Sequence, residues 1–343
     1  MYNSLHCGKH KIMPTKTRWA ILGLGRIAHK FATDLATLPN ADLVAVASTD
    51  QARATEFAAH YPRPDGTLPR ALDKYESLLA MADEIDVVYI ATRHVYHRAN
   101  TLLCLNGGLA VLCEKPFGMN IGDVDQMLDV AEARQTFLME ALWSRFMPTI
   151  QQAKSWVDEG AIGRILTIKA DFGFKADYDP NKRLFNKELG GGSLLDIGIY
   201  PLFISYLING MPATIIASAT LAPTGADEQC GIVLTYKNGS MAILNSTFMA
   251  DTENVALIYG TEGTIRIHSR FHESTAVTLE KPGAKPVTKT FERSTFGYDY
   301  EAQHVMGCLN EGFTESPLWS HLDSRNLMTL LDDVRRAAGL SYE

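Results

Sequence analysis

Three features of this 343-residue chain have residue types and spacing that point to chemistry: a lysine after an apolar run, an aspartate and a tyrosine one helical turn apart, and a glycine-rich turn upstream of both. Lys115 stands in Glu114-Lys115-Pro116, directly after the run Leu109–Cys113. If that run is a strand of an open α/β sheet, Lys115 sits outside its carboxyl end, where such sheets bind ligands. Pro116 restricts Lys115 to an extended conformation and so fixes its direction. An ammonium placed there can hydrogen-bond a substrate hydroxyl or carbonyl and stabilise an alkoxide that forms during hydride transfer. Asp196 and Tyr200 are four apart, so on a helix they share one face. A phenol beside an ammonium is expected to have a lowered pKa, which would let Lys115 and Tyr200 pass a proton to or from a substrate oxygen. Asp196 is expected to orient Lys115 or to bind a neighbouring hydroxyl.

The stretch Ile21-Leu22-Gly23-Leu24-Gly25-Arg26-Ile27-Ala28 matches G-x-G-x-x-G/A. Gly23 permits a tight turn, Gly25 lets a pyrophosphate approach the backbone, and Ala28 keeps the following helix close to the strand. The amides at Arg26 and Ile27 then open a helix whose N-terminus attracts phosphate. The motif follows one apolar run and opens a helical pattern, which is the context that makes it a dinucleotide site. At the end of the next strand, Ser48 and Thr49 can donate to a phosphate and Arg53 can reach it, which favours NADP. An Asp50 that swings in would instead select NAD. After the third main strand, Ala91 and Thr92 are expected to border the cofactor, as are Glu114 and Lys115.

These residues need a scaffold, and the chain alternates in the required way. Apolar runs at Arg18–Leu22, Leu43–Ala47, Val87–Ala91, Leu109–Cys113 and Phe137–Glu140 read as buried strands. They are separated by helical patterns over Ile27–Leu38, Gln51–His60, Tyr75–Met81, Arg98–Asn106 and Val124–Arg134. Such alternation implies βαβ units and a doubly wound parallel sheet. After Pro148 the pattern changes to a helix near Ile150–Glu159, a strand over Arg164–Phe174, a helix over Ser193–Ile208, and then β-like runs from Thr214 to Leu279. Asn238-Gly239 marks a hairpin. These features predict a second α/β domain with a large open, mostly antiparallel sheet, closed by helices over Tyr300–Glu311 and Leu322–Ala338. The expected organisation is a loose tail over 1–16, a Rossmann dinucleotide-binding domain over 17–142, and a substrate-binding and oligomerisation domain over 143–343.

Trp143 and Arg145 follow the last strand of the first domain, at the junction where pockets form. Trp143 offers a flat apolar face to a ring, and Arg145 is either a substrate contact or a structural ion-pair partner. Arg183, ahead of the glycine run 190–192, is a further candidate to reach the pocket.

Composition bounds the rest. The formal net charge of −7 argues against non-specific nucleic-acid binding. No segment is expected to be long and apolar enough to span a bilayer. Cys7, Cys104, Cys113, Cys230 and Cys308 form no C-x-x-C pair, which excludes a disulfide framework and a structural zinc site and fits a reducing cytoplasm. His94 and His97 have no acidic partner at ligand spacing, so no metal is expected.

Taken together, the glycine turn, His94-Val-Tyr-His97, Cys113-Glu-Lys-Pro-Phe-Gly-Met-Asn120, Met139-Glu-Ala-Leu-Trp-Ser-Arg145 and Gly190-Gly-Gly-Ser-Leu-Leu-Asp-Ile-Gly-Ile-Tyr200 resemble the glucose–fructose oxidoreductase / inositol dehydrogenase / rhizopine catabolism family, from Arg18 to Tyr342. Several of these elements are most similar to its dimeric dihydrodiol dehydrogenase branch. The resemblance implies NAD(P)-linked oxidation or reduction of a secondary alcohol or ketone in a sugar, cyclitol or cyclic diol. It places His97 near the nicotinamide, His94 toward substrate and Phe172 in the pocket wall. It also implies a homodimer or homotetramer formed through the exposed face of the second sheet. Tyr200 stands where many members have histidine, and Arg93 where most have proline, so that turn is expected to differ. Two other activities use the same scaffold: a glycosidase-type hydrolase in which NAD is reduced and reoxidised within one turnover, and a non-catalytic dinucleotide-binding sugar regulator.

Overall fold

The structure, a computed structural model, describes residues 16–341. Apart from Lys16, the tail expected over 1–16 lies outside the described residues, as does Cys7. The first sheet contains β1 (Thr17–Leu22), β2 (Ala41–Ala47), β3 (Arg70–Leu72), β4 (Val87–Ile90), β5 (Ala110–Glu114) and β6 (Leu138–Ala141). All pair in parallel, in the order β3-β2-β1-β4-β5-β6. The connections include α1 (Arg26–Leu35), α2 (Gln51–His60), α3 (His97–Asn106) and α4 (Ile121–Arg134). Both faces are covered, so the central strands are almost wholly buried: Trp19 to Leu22 and Val87 to Ile90 are fully inaccessible, and Arg18 of β1 is partly exposed. Strand order reverses beside β1, and the crevice between the ends of β1 and β4 is where this topology binds ligands.

From Pro148 the chain builds α5 (Pro148–Asp158), β7 (Ile165–Gly173) and α6 (Ile199–Asn209). The strands β8 (Thr214–Leu221), β9 (Asp227–Thr235), β10 (Met241–Thr247), β11 (Ala256–Gly260), β12 (Thr264–Ile267), β13 (Ala276–Glu280) and β14 (Val287–Thr290) follow. The sheet order is β14-β13-β12-β11-β7-β10-β9-β8. Every pair is antiparallel except β7–β10. The hairpin at Asn238-Gly239 joins β9 to β10, with Gly239 at φ 84°. α5 and α6 cover one face, where Ile168, Ala170, Ala242, Leu244 and Ile258 are buried.

The last two helices return to the first half of the molecule. α7 (Tyr298–Glu311) packs against α1, and α8 (His321–Ala337) against α4. A buried carboxylate pins this return: Asp34 of α1 accepts from the amides of Phe296 at 2.9 Å and Tyr298 at 2.8 Å.

One expectation is corrected here. Residues 187–209 are apolar and long enough to cross a membrane, but 89% of the relevant window is buried inside the protein. The helix expected from Ser193 also begins differently, as a π-turn over Leu194–Gly198 that runs into α6.

The turn from β1 into α1 shows why its two glycines differ. Gly23 has φ 90°, and a Cβ there would lie 2.7 Å from the Thr92 methyl and 2.9 Å from its amide. At Gly25 the backbone is extended, and a Cβ would meet nothing within 4 Å. Gly23→Ala is therefore expected to destabilise the fold by about 1–3 kcal/mol, seen as a lower unfolding temperature. Gly25→Ala is expected to leave thermal unfolding unchanged while abolishing dinucleotide binding measured by calorimetry.

Candidate active site

A cavity of about 590 Å³ opens at the ends of β1, β4 and β5, bounded on its far side by residues of the second domain. Gly25, Arg26 and Ile27 line it from the glycine turn, Ala91, Thr92 and His97 from the end of β4, and Glu114 and Lys115 from the end of β5. Most residues expected around a dinucleotide are thus brought together. The open space beyond the Gly25 α-carbon, the unfilled amides at the start of α1, and a fully buried Ala28 behind them fit a pyrophosphate. Ser48, Thr49 and Arg53 lie outside this cavity, past the end of β2. Ser48 is buried, and its hydroxyl accepts from the Asp50 amide at 3.1 Å. Asp50 is turned into α2 as its N-cap, accepting from the amides of Ala52 and Arg53. Thr49 and Arg53 are exposed.

Lys115 is the centre of the site. Its amide donates to the Glu114 carboxylate at 3.1 Å. Its Nζ donates to the Asp196 main-chain carbonyl at 2.7 Å, lies 3.7 Å from Asp196 Oδ1, and stands 5.0 Å from the centre of the Tyr200 ring. The Lys115–Pro116 bond is cis. Burial lowers the Lys115 pKa, against the pull of Asp196 and Glu114. Local sequence explains the free carbonyl: Pro201, in the first turn of α6, has no N–H to give to the π-turn before it.

Asp196 also holds Arg183, whose two terminal nitrogens reach its two oxygens at 3.0 and 3.2 Å. Burial alone would raise this carboxyl, but the Lys115 and Arg183 charges overcome it and hold the group well below the usual range. Glu114 has no such pair of cations. Burial raises its pKa, and the Tyr89 hydroxyl donates to it at 2.5 Å.

Tyr200 corrects an expectation. Burial dominates and raises its pKa well above the ordinary value, so the phenol keeps its proton. The ammonium faces the ring rather than the hydroxyl, which receives the Trp143 indole N–H at 2.9 Å. Since the indole occupies a lone pair, the phenolic hydrogen is free to be donated elsewhere. Trp143 is therefore no substrate wall: it is 5% exposed and stacked on Tyr298 at 4.7 Å, behind Tyr200. Arg145 is likewise turned away and donates to the Leu318 carbonyl at 3.0 Å.

Both histidines fall at the cavity. His97 has its ring nitrogens 2.8 Å from the Pro116 carbonyl and 3.1 Å from that of Thr92, and burial pushes it down to about 4. His94 is buried, with Nδ1 3.1 Å from the Gly190 carbonyl. Phe172 lines the cavity as expected. Sequence reading missed its neighbours: His272, which stacks on Phe172 at 4.3 Å, and Tyr298 at the start of α7. Neither stands in a motif. Phe174, Lys182 and Leu184, from the segment that carries Arg183, complete the far wall. Among the described residues, no group of acidic, histidine and cysteine side chains could hold a metal ion.

The family described as oxidoreductase family, NAD-binding Rossmann fold, matches residues 17–142, and the GFO/IDH/MocA C-terminal domain matches residues 150–266. The chain is 37% identical to trans-1,2-dihydrobenzene-1,2-diol dehydrogenase of Xenopus tropicalis, over 95% of this chain and 99% of that one. It is 39% identical to the protein of the same name from Danio rerio, over 95% and 98%. Among solved structures, aldose-aldose oxidoreductase from Caulobacter crescentus superposes with a TM-score of 0.84 at 25% identity, covering 94% of this chain and 98% of that one.

The Trp143–Tyr200 bond yields a test. Trp143→Phe removes one hydrogen bond to the phenol, so steady-state kinetics should show kcat lowered about tenfold, with KM changed less than about twofold.

Proposed function

Because the chain belongs to the GFO/IDH/MocA oxidoreductase family, we propose that it interconverts a vicinal diol carried on a ring and the matching hydroxyketone, with NADP as the preferred nicotinamide cofactor. That it is an NAD(P)-dependent oxidoreductase follows from the family and its relatives. The diol is the finer reading, supported by the relatives named for a dihydrobenzene diol. The observation that carries it is the Lys115 ammonium, held 2.7 Å from the Asp196 carbonyl in the same cavity as the glycine turn. One wall of that cavity is aromatic, with Phe172, His272 and Tyr298, and suits the face of a ring. The same cavity presents Lys115, Asp196 and Arg183, suited to two adjacent oxygens.

When bound, the nicotinamide gives hydride to the carbonyl carbon or takes it from the carbinol carbon. The protein's own residues handle the oxygen. In reduction, Lys115 places positive charge beside the developing alkoxide and then gives it a proton, while Tyr200, kept protonated by burial, donates a hydrogen bond to it. Asp196, charged at all ordinary pH, keeps the ammonium in place. As pH rises, the first proton to leave this pair comes from Lys115, because burial lowers its pKa and raises that of Tyr200. Alcohol oxidation needs a base and so gains as pH rises; ketone reduction needs the ammonium and falls over the same range, below the ordinary lysine pKa.

NADP is favoured because Asp50 is engaged as a helix cap while Thr49 and Arg53 face solvent at the end of β2. The buried, unpaired thiols of Cys104, Cys113, Cys230 and Cys308 support a cytoplasmic location. The open face of the second sheet supports a homodimer. Its register places Ile216, Val233, Ile243, Lys169 and Leu257 in one row across five strands. Ile216 and Ile243 are 67% and 44% exposed.

Three measurements test these readings. A panel of ring diols and sugars, followed by nicotinamide absorbance, should show net cofactor reduction, and Lys115→Met should lower kcat by about 10²–10⁴-fold. Substrate cleavage without net cofactor change would point instead to the hydrolase. Arg53→Ala should weaken NADP binding about tenfold or more and leave NAD binding unchanged. Ile216→Glu with Ile243→Glu should sediment as a monomer, where the wild type sediments as a dimer.

A further inference from the structure

Glu140 is buried on β6 and takes no part in the chemistry above. It lies in register with Cys113 of β5, two residues before Lys115. One of its oxygens accepts from the Phe117 amide at 3.1 Å, two residues after Lys115. The other accepts from the Trp319 indole N–H at 3.1 Å, and the Ser324 hydroxyl is a further donor. The Trp319 ring meets Phe203 edge-on at 5.4 Å, on the same helix, α6, that carries Tyr200. One carboxyl therefore grips the lysine-bearing turn with one oxygen and, through Trp319, the support of the tyrosine-bearing helix with the other.

We propose that Glu140 is a positioning residue for the hydride-transfer reaction: its carboxylate fixes the Lys115–Phe117 turn against α6, so that the Lys115 ammonium and the Tyr200 hydroxyl converge on one substrate oxygen. This inference rests on the oxidoreductase reading of the cavity. The titratable groups around Glu140 are Cys113 and Glu114 on β5 and Lys115 in the turn; Trp319 and Ser324, from the C-terminal segment, are uncharged. His321, at the start of α8, is bonded to the Leu138 carbonyl on the same strand. Burial outweighs the three donors and pushes the carboxyl up to about 7. An ionised acceptor holds N–H donors more strongly than a neutral acid, whose own hydrogen would face one of them. The joint is therefore tight above neutral pH and looser below.

Glu140→Gln keeps the volume and one acceptor but turns an NH₂ toward a donor. It should lower kcat about tenfold or more, leave KM and the cofactor Kd within about twofold, and remove the acidic limb of the kcat–pH profile near 7. Tryptophan emission of the cofactor-free protein supplies a readout independent of turnover. The wild type should show a transition near pH 7 that Glu140→Gln lacks. Trp319→Phe, which deletes one N–H, should move kcat in the same direction by a smaller factor. A wild-type protein with no emission transition, a transition that persists in Glu140→Gln, or an unchanged kcat and pH profile in that variant would each overturn the inference. If Glu140→Gln does not fold, a folded Trp319→Phe with wild-type kcat and pH profile does so instead. A wild-type enzyme inert toward every diol and sugar, yet showing the emission transition, would count against the substrate reading and not against the joint.

Discussion

The site depends on where one ammonium is allowed to rest. Lys115 Nζ comes from the edge of the parallel sheet and finds its hydrogen-bond acceptor 81 positions later, in the main chain of Asp196. That carbonyl is available because the helix carrying it opens as a π-turn ahead of Pro201. A buried charge without such partners would be displaced toward its neutral form. Here the Asp196 carboxylate and carbonyl together keep it charged, while Arg183 balances the carboxylate from the other side. The three groups form a small ionic cluster spanning the boundary between the two sheets. Ion pairs of this kind contribute little net stability once desolvation is counted, so the cluster is better understood as fixing geometry than as holding the fold together.

Most of the scaffold was legible in the sequence because burial on both faces leaves strands as uninterrupted apolar runs. The exceptions have physical reasons. β3 is three residues long, partly exposed, and preceded by a Pro- and Gly-rich connection, so it has no apolar run to read. β14 is exposed at every position and is recognisable only by its pairing with β13. The parallel pairing of β7 and β10 joins segments about 75 residues apart, a relation that local pattern does not carry.

Within the site, the contributions of Lys115, Asp196 and the glycine turn follow from type and spacing. Those of Trp143, His272 and Tyr298 do not. Trp143 looks like a ring-binding surface until its indole N–H is seen to be spent on Tyr200. His272 and Tyr298 lie outside any motif and reach the cavity because the second sheet and α7 fold back over it. The acidity of Tyr200 was misjudged for a related reason: sequence suggested a nearby cation but gave no measure of how completely the phenol would be removed from water.

The return of α7 and α8 to the first sheet has a bearing on biogenesis. The crevice at β1 and β4 is encoded early in the chain, but Tyr298 in its wall and the helices packed on α1 and α4 come from the final segment. A nascent polypeptide emerging from the ribosome would carry a nucleotide fold with two outer flanks bare until α7 and α8 have followed it out. Completion of the cofactor half, and not only of the substrate half, waits on helices encoded after the second sheet.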